Sequence, residues 1–168
     1  MSVTAERLIS RSRKELAEGD HTLAILISAI AIEAFLSRMF LKLKKIENLK
    51  NLLGMPTSAQ IAAWEKQYKR NIGFSTCVDF VSKKLTGVDF DTFIDDRKHS
   101  SEIIARAVLV LAGPPTKTIQ KELFERRNRI AHWGFVDSAQ NDAERSFNVA
   151  VATLDILREM DREKYKTL

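Results

Sequence analysis

Little in this chain can build a covalent or metal-based scaffold. One residue in 168 is cysteine, Cys77. That excludes an intrachain disulfide and a cysteine-based zinc cluster. A lone thiol fits a reducing compartment, and free cysteine is usually buried, so Cys77 is expected in the core. Six glycines and three prolines are few, which disfavours a loop-rich all-β fold and long disorder. Runs of strictly alternating apolar and polar residues are missing, so half-buried strands are not expected. The start, MSVTAERLISRSRKELAEGD, is mixed in charge and has no apolar signal core. The most apolar run, LAILISAIAI at 23–32, is short for a bilayer span and is followed by Glu33. It reads more simply as the central buried helix of a soluble domain. A cytoplasmic protein without a membrane partner is expected. No phosphate-binding glycine loop, GxSxG elbow or HExxH pair occurs, and no metal or cofactor is expected.

What is present has an ordinary globular balance, 45% hydrophobic and 29% charged, in a chain long enough for one real core. The formal charge of +5 is unevenly placed. Between Arg38 and Lys84 ten Lys/Arg stand against three Asp/Glu, a local excess of +7, so the remainder sums to −2. Such a skew marks either a surface for nucleic acid or another polyanion, or a set of solvated helix faces.

Helical spacing recurs throughout. Ala5, Leu8, Ile9 and Leu16 give a first helix ending near Gly19. A long second helix runs from about Asp20, a plausible N-cap, to Lys45. Gly54 and Pro56 punctuate a loop. Ile61, Trp64, Tyr68 and Ile72 form one stripe, and Phe74, Cys77, Val78, Val81 and Leu85 another. TGVDFDTFIDD reads as a turn with a short helical piece, and 101–112 as an apolar helix stopped by GPP. Thr116 can cap a helix over about 117–131, with Gly134 in the left-handed position past its end. A last helix begins at Asp137 or Ser138, with capping-box spacing to Gln140. Its buried stripe is Ala143, Phe147, Val151, Leu154 and Leu157. The expected architecture is all-α: a single-domain helical bundle over 1–168, with an early long buried helix and a late one carrying a motif.

That motif lies in FERRNRIAHWGF, residues 124–135. Residues four apart on a helix share a face, so Phe124, Asn128 and His132 align, and Arg127 sits one step from Asn128. If the helix frays at Ala131, Arg127, Asn128 and His132 can converge. A histidine titrates near neutrality and can move a proton. An arginine can hold a phosphate through two parallel hydrogen bonds, and an asparagine can orient either partner. The same residues also suit a helix C-terminus, where the macrodipole favours basic side chains.

RNRIAH, Arg127 to His132, resembles the Arg–four residues–His signature of the HEPN superfamily of all-α nucleotide-binding domains, in which asparagine often follows the arginine. The surrounding plan is similar too: an early apolar helix bearing AIAIEAF, and an alanine-rich final helix, NDAERSFNVAVATLDIL. The resemblance covers roughly 4–40 and 117–160. Residues 46–115 align with nothing in that plan and are read as a family-specific elaboration.

The resemblance implies a metal-independent endoribonuclease that activates the ribose 2′-hydroxyl against the adjacent phosphate. His132 matches the general base or acid, Arg127 the holder of the scissile phosphate, and Asn128 the residue that orients them. It also implies a homodimer in which two motifs meet across a two-fold axis, in toxin–antitoxin or defence biology. An antitoxin or nucleotidyltransferase is then a possible partner. Other members bind RNA or nucleotide without turnover, and a purely structural dimerisation domain is a third reading.

Glu33 should find a partner or reach water, because burying a lone carboxylate is costly. Arg127 is the proposed partner. Arg126 and Arg129 are either supporting phosphate ligands or exposed helix residues. Trp133 either stacks on a base or packs over the helix end. His21 is expected to be neutral and structural, and His99 to lie on a charged surface. Asp89, Asp91, Asp95 and Asp96 read as a solvated turn rather than a divalent-metal loop.

Overall fold

A computed structural model describes residues 4–50, 54–71, 73–133 and 139–166, and every regular element among them is helical. Local capping chemistry sets most helix ends. The Thr4 hydroxyl accepts from the Arg7 N–H at 3.3 Å to start α1 (Ala5–Glu18). Gly19 ends it in the left-handed region at φ 83°, where a Cβ would be unfavourable. Asp20 then accepts from the Leu23 N–H at 2.9 Å and opens α2 (His21–Lys50).

Helix α2 runs five residues past the expected end at Lys45. Its last turns are held from outside: buried Asn48 donates to the Gly54 carbonyl at 2.8 Å, and Glu47 accepts from both Lys44 and Lys84. Helix α1 also departs from expectation. Leu8, Ile9 and Leu16 are only half-buried, whereas Ala5, Ser12 and Glu15 are buried. The reason is close approach of α1 to α2. The Ser12 hydroxyl donates to the Ala24 carbonyl at 2.9 Å and lies 2.8 Å from the Ser28 hydroxyl, all inside the fold.

Thr57 and Gln60 form a reciprocal capping box for α3 (Ser58–Asn71), whose Ile61 and Trp64 are half-buried. In α4 (Phe74–Thr86) the expected stripe is in place: Phe74, Cys77, Val78 and Val81 are buried and Leu85 half-buried. Asp89 caps α5 (Phe90–Arg97), and Ser101 caps α6 (Glu102–Leu111). Helix α6 stops at Ala112 in the left-handed region, and Arg145 donates across to the Val110 and Leu111 carbonyls it leaves free.

The next rod has three parts: α7 (Pro115–Ile119), a π-helical segment (Gln120–Glu125) and α8 (Arg126–Trp133). It starts two residues earlier than expected. Thr116 is not its cap; it lies inside the first turn, where its N–H and hydroxyl both donate to Asp91 at 3.0 and 2.7 Å. The rod does not fray at Ala131 but stays helical through Trp133. The final helix, α9 (Gln140–Lys166), buries a broader face than its predicted stripe. Val149, Ala150, Ala152 and Thr153 are buried, while Val151 is half-buried. Ile72, Gly134, Asp137 and Ser138 lie outside the described residues, as do the side chains of Tyr68 and Trp133.

Helix α2 is the centre of the bundle, with α1, α4, α9 and the α7–α8 rod packed around it and α6 against α9. Residues 46–115 are not an appendage. Phe74, Val81, Phe90, Ile94, Ile104 and Leu111 belong to the same core as Ile32, Phe40, Leu123 and Leu157. By length and composition α2 could cross a bilayer, contrary to the short-run reading of 23–32. In this fold 56% of its most apolar window is buried against the other helices, as in the core helix of a bundle.

Candidate functional site

The motif helix is positioned by the π turn before it. Glu122, Leu123 and Phe124 are buried in succession, and the backbone stays helical across the junction (Arg126 φ −63°, ψ −48°). A π turn breaks the usual i→i+4 pairing, which opens carbonyls to lateral donors. The buried Ser146 hydroxyl of α9 donates to the Glu122 carbonyl at 2.8 Å. Arg126 then ties the same turn to α9. Its guanidinium contacts Glu122 at 2.9 and 2.6 Å and pairs with Asp142. Burial opposes its charge, but the Asp142 and Glu122 carboxylates outweigh it and hold the guanidinium above its ordinary value. Arg126 is therefore not the exposed helix residue expected. With 16% of its side chain exposed, it is a tether between helices rather than a free phosphate ligand.

Arg127 faces the other way. Its Nη1 donates to Glu33 on α2, and its Nε and Nη2 donate to the Asn128 side-chain oxygen at 3.2 and 2.9 Å. The guanidinium carbon also lies 5.8 Å from the Phe124 ring centre. The pairing of Glu33 with Arg127 expected from the apolar context of Glu33 is present. At 37% and 29% side-chain exposure the two groups keep contact with solvent. The pair is worth at most about 1 kcal/mol to the fold, and its main effect is to fix the guanidinium. Because a guanidinium only donates, Asn128 must turn its oxygen toward Arg127, and its NH₂ makes no hydrogen bond among the described residues.

These groups rim a cleft of about 570 Å³, within the usual range for small-ligand sites. Ile30, Ala34 and Ser37 of α2 form one wall. Phe74 and Phe124 lie beneath, stacked with ring centres 4.8 Å apart at 25°. Gln120 adds a carboxamide at the far edge.

His132 is exposed on the last turn of α8 and is not among the residues lining this cleft. Arg129 is exposed too, with no ion pair among the described residues. A single chain thus joins Glu33, Arg127 and Asn128 by hydrogen bonds, and none links His132 to them among the described residues. Elsewhere, His21 is half-buried at the start of α2 and His99 is exposed. The aspartates act separately. Asp89 is held below the usual carboxylate range by the Thr92 N–H and hydroxyl, Asp91 accepts from Thr116, and Asp95 pairs with Lys98. No cluster of three metal-ligating side chains forms among the described residues.

Part of the basic excess is already engaged. Lys84 and Lys44 hold the Glu47 carboxyl below its ordinary value, and both ammonium groups lie over the Phe80 ring at 5.8 and 5.3 Å. Arg38, Lys42, Lys45, Arg158 and Arg162 line a second cleft together with Asp161 and Glu6, which pair with Lys42 and Arg158.

Sequence reasoning missed Gln120 and Phe74. Gln120 precedes Phe124 by four and Asn128 by eight, so face periodicity could have found it. Phe74 comes from another helix, and only the tertiary fold places it here. No known protein family, curated protein or solved structure matches the chain.

Proposed function

We propose that this is a HEPN-like RNA-binding protein and a metal-independent endoribonuclease, acting as a homodimer in the cytoplasm. The carrying observation is the Glu33–Arg127–Asn128 arrangement at the lip of an open cleft, one helical turn before an exposed histidine. Arg127 binds the scissile phosphate and stabilises the charge that builds there. Glu33 and Asn128 hold the guanidinium in place. Neutral His132 takes the proton from the ribose 2′-hydroxyl, whose oxygen attacks the adjacent phosphorus. The bond to the 5′ oxygen breaks, and that oxygen takes a proton from an imidazolium of the second copy. The products are a 2′,3′-cyclic phosphate and a 5′-hydroxyl. Sharing the site between copies supplies the second histidine that the acid step needs. A role in toxin–antitoxin or defence biology, with an antitoxin or nucleotidyltransferase partner, rests on the resemblance of RNRIAH alone.

One observation favours a second reading, a nucleotide-binding module without turnover. His132 has no side-chain partner among the described residues to fix its orientation. A single experiment separates the two. Purified wild type, His132→Ala and Arg127→Ala are incubated with several RNAs in chelator, and both intact RNA and bound fraction are measured. The nuclease reading expects cleavage by wild type and at least a hundredfold loss in His132→Ala. Salt-sensitive binding that weakens in Arg127→Ala, with all RNA left intact, selects the binding module. Cleavage equal in wild type and His132→Ala sinks the enzymatic reading.

A further inference from the structure

The cleft beside Arg127 has more than a phosphate contact needs. A phosphate requires donors and positive charge, which Arg127 and the NH₂ of Asn128 supply at the rim. It does not require an apolar interior, yet the cleft extends over Ile30, Ala34 and the stacked Phe74–Phe124 pair. At the edge away from Arg127 stands the half-buried Gln120, whose carboxamide makes no hydrogen bond among the described residues. Its amide is not buried away from solvent, so it is open to a ligand, and a carboxamide offers a donor and an acceptor in the same plane. The site therefore joins an anion contact, an apolar slot and a bidentate hydrogen-bonding group.

We infer that this cleft is a nucleobase pocket, and that Gln120 is the residue that reads the base next to the phosphate held by Arg127. The inference rests on the RNA-binding reading above and adds to it a place where sequence is discriminated. An unstacked base is flat and apolar on its faces, which suits the slot between α2 and the phenylalanine floor. Its edge carries a donor beside an acceptor, which a glutamine amide matches with two parallel hydrogen bonds. The π turn has a role here. Gln120 and Phe124 are its first and fifth residues and both line the cleft, so the segment that carries the motif also carries the reader. Asn128 adds a further donor at the junction of base and phosphate.

The test uses the full chain and four single-stranded hexamers, oligo(A), oligo(C), oligo(G) and oligo(U). Each is 2′-O-methylated, so the attacking hydroxyl is blocked and only binding is read. Wild type is expected to prefer one of the four by about tenfold, the usual discrimination of a bidentate amide–base contact. Gln120→Met keeps the length and packing of the side chain but removes the amide. It should bring the four affinities within about threefold of one another. Arg127→Ala should weaken all four and preserve their order. Equal binding of all four by wild type, or an undiminished preference in Gln120→Met, overturns the pocket while leaving the RNA-binding reading intact. No binding of any hexamer by wild type defeats that reading and the pocket with it. Circular dichroism melts of each variant confirm that a lost preference is not a lost fold.

Discussion

Glu33 is the residue whose sequence neighbours say most about its needs. A carboxylate inside the most apolar helix needs a counter-charge or water, and it has both: the Arg127 guanidinium and partial exposure. Arg126 shows the opposite case. Its neighbours in sequence place it on a polar helix end, and nothing local says that Asp142 will close on it from another helix. A residue is legible when its own element dictates its needs, and illegible when a distant element answers them. Asp89 belongs to the first kind and carries a pH prediction. The Thr92 N–H donates to it at 3.0 Å and the Thr92 hydroxyl at 2.9 Å, holding its carboxyl below the ordinary 3.8. A carboxyl depressed on folding stabilises above its unfolded value, and that contribution is lost as pH falls through the folded value. The gap in melting temperature between wild type and Asp89→Ala should thus hold steady from neutrality to about pH 5. It should narrow below 3.8. A gap that stays constant down to the acid unfolding limit would show that the carboxylate's charge does not matter to the cap.

At the scale of elements, periodicity revealed which segments are helical, and capping residues placed several of the boundaries. Asp20, Gly19 and the stripe on α4 were all readable because each signal is confined to one or two turns. The π segment was not. It differs from α-helix by less than one residue per turn over six residues, so 117–131 reads as one ordinary amphipathic helix. What stabilises the wider turn lies on α9, in Ser146 and Asp142. Ser146→Ala leaves a buried carbonyl short of its donor, which costs about 1–3 kcal/mol. Urea unfolding should show that loss as a lower midpoint at unchanged slope. Because Glu122 lies four residues before Arg126 and five before Arg127, the same substitution should also disturb the cleft. An unchanged midpoint would mean that the π turn needs no support from α9.

At the scale of the molecule, the bundle is built around one helix that it does not fully cover. Ile30, Ala34, Ser37 and Leu41 recur on α2 at spacings of four, three and four. None is buried, and Ile30 is 43% exposed. That spacing is the seam pattern of paired helices. The first three also line the cleft beside Arg127. A two-fold axis along this stripe brings the same patch to itself. In the proposed homodimer the two Arg127–Asn128 clefts would then lie on either side of that axis. The proposed nuclease therefore depends on an interface that a single substitution can attack. Ile30→Glu places like charges across the axis and beside Glu33, while adding no buried charge to the monomer. Light scattering should find wild type as a dimer at micromolar concentration and Ile30→Glu as a monomer with a nearly unchanged melting temperature. RNA cleavage should fall with dimerisation in the variant. Adding Arg127→Ala chains to His132→Ala chains should recover little activity, since the proposed mechanism draws one histidine from each copy and a mixed dimer keeps only one. Wild type that stays monomeric at every concentration and still cleaves RNA would remove the shared site, and would require His132 to reach the cleft of its own chain.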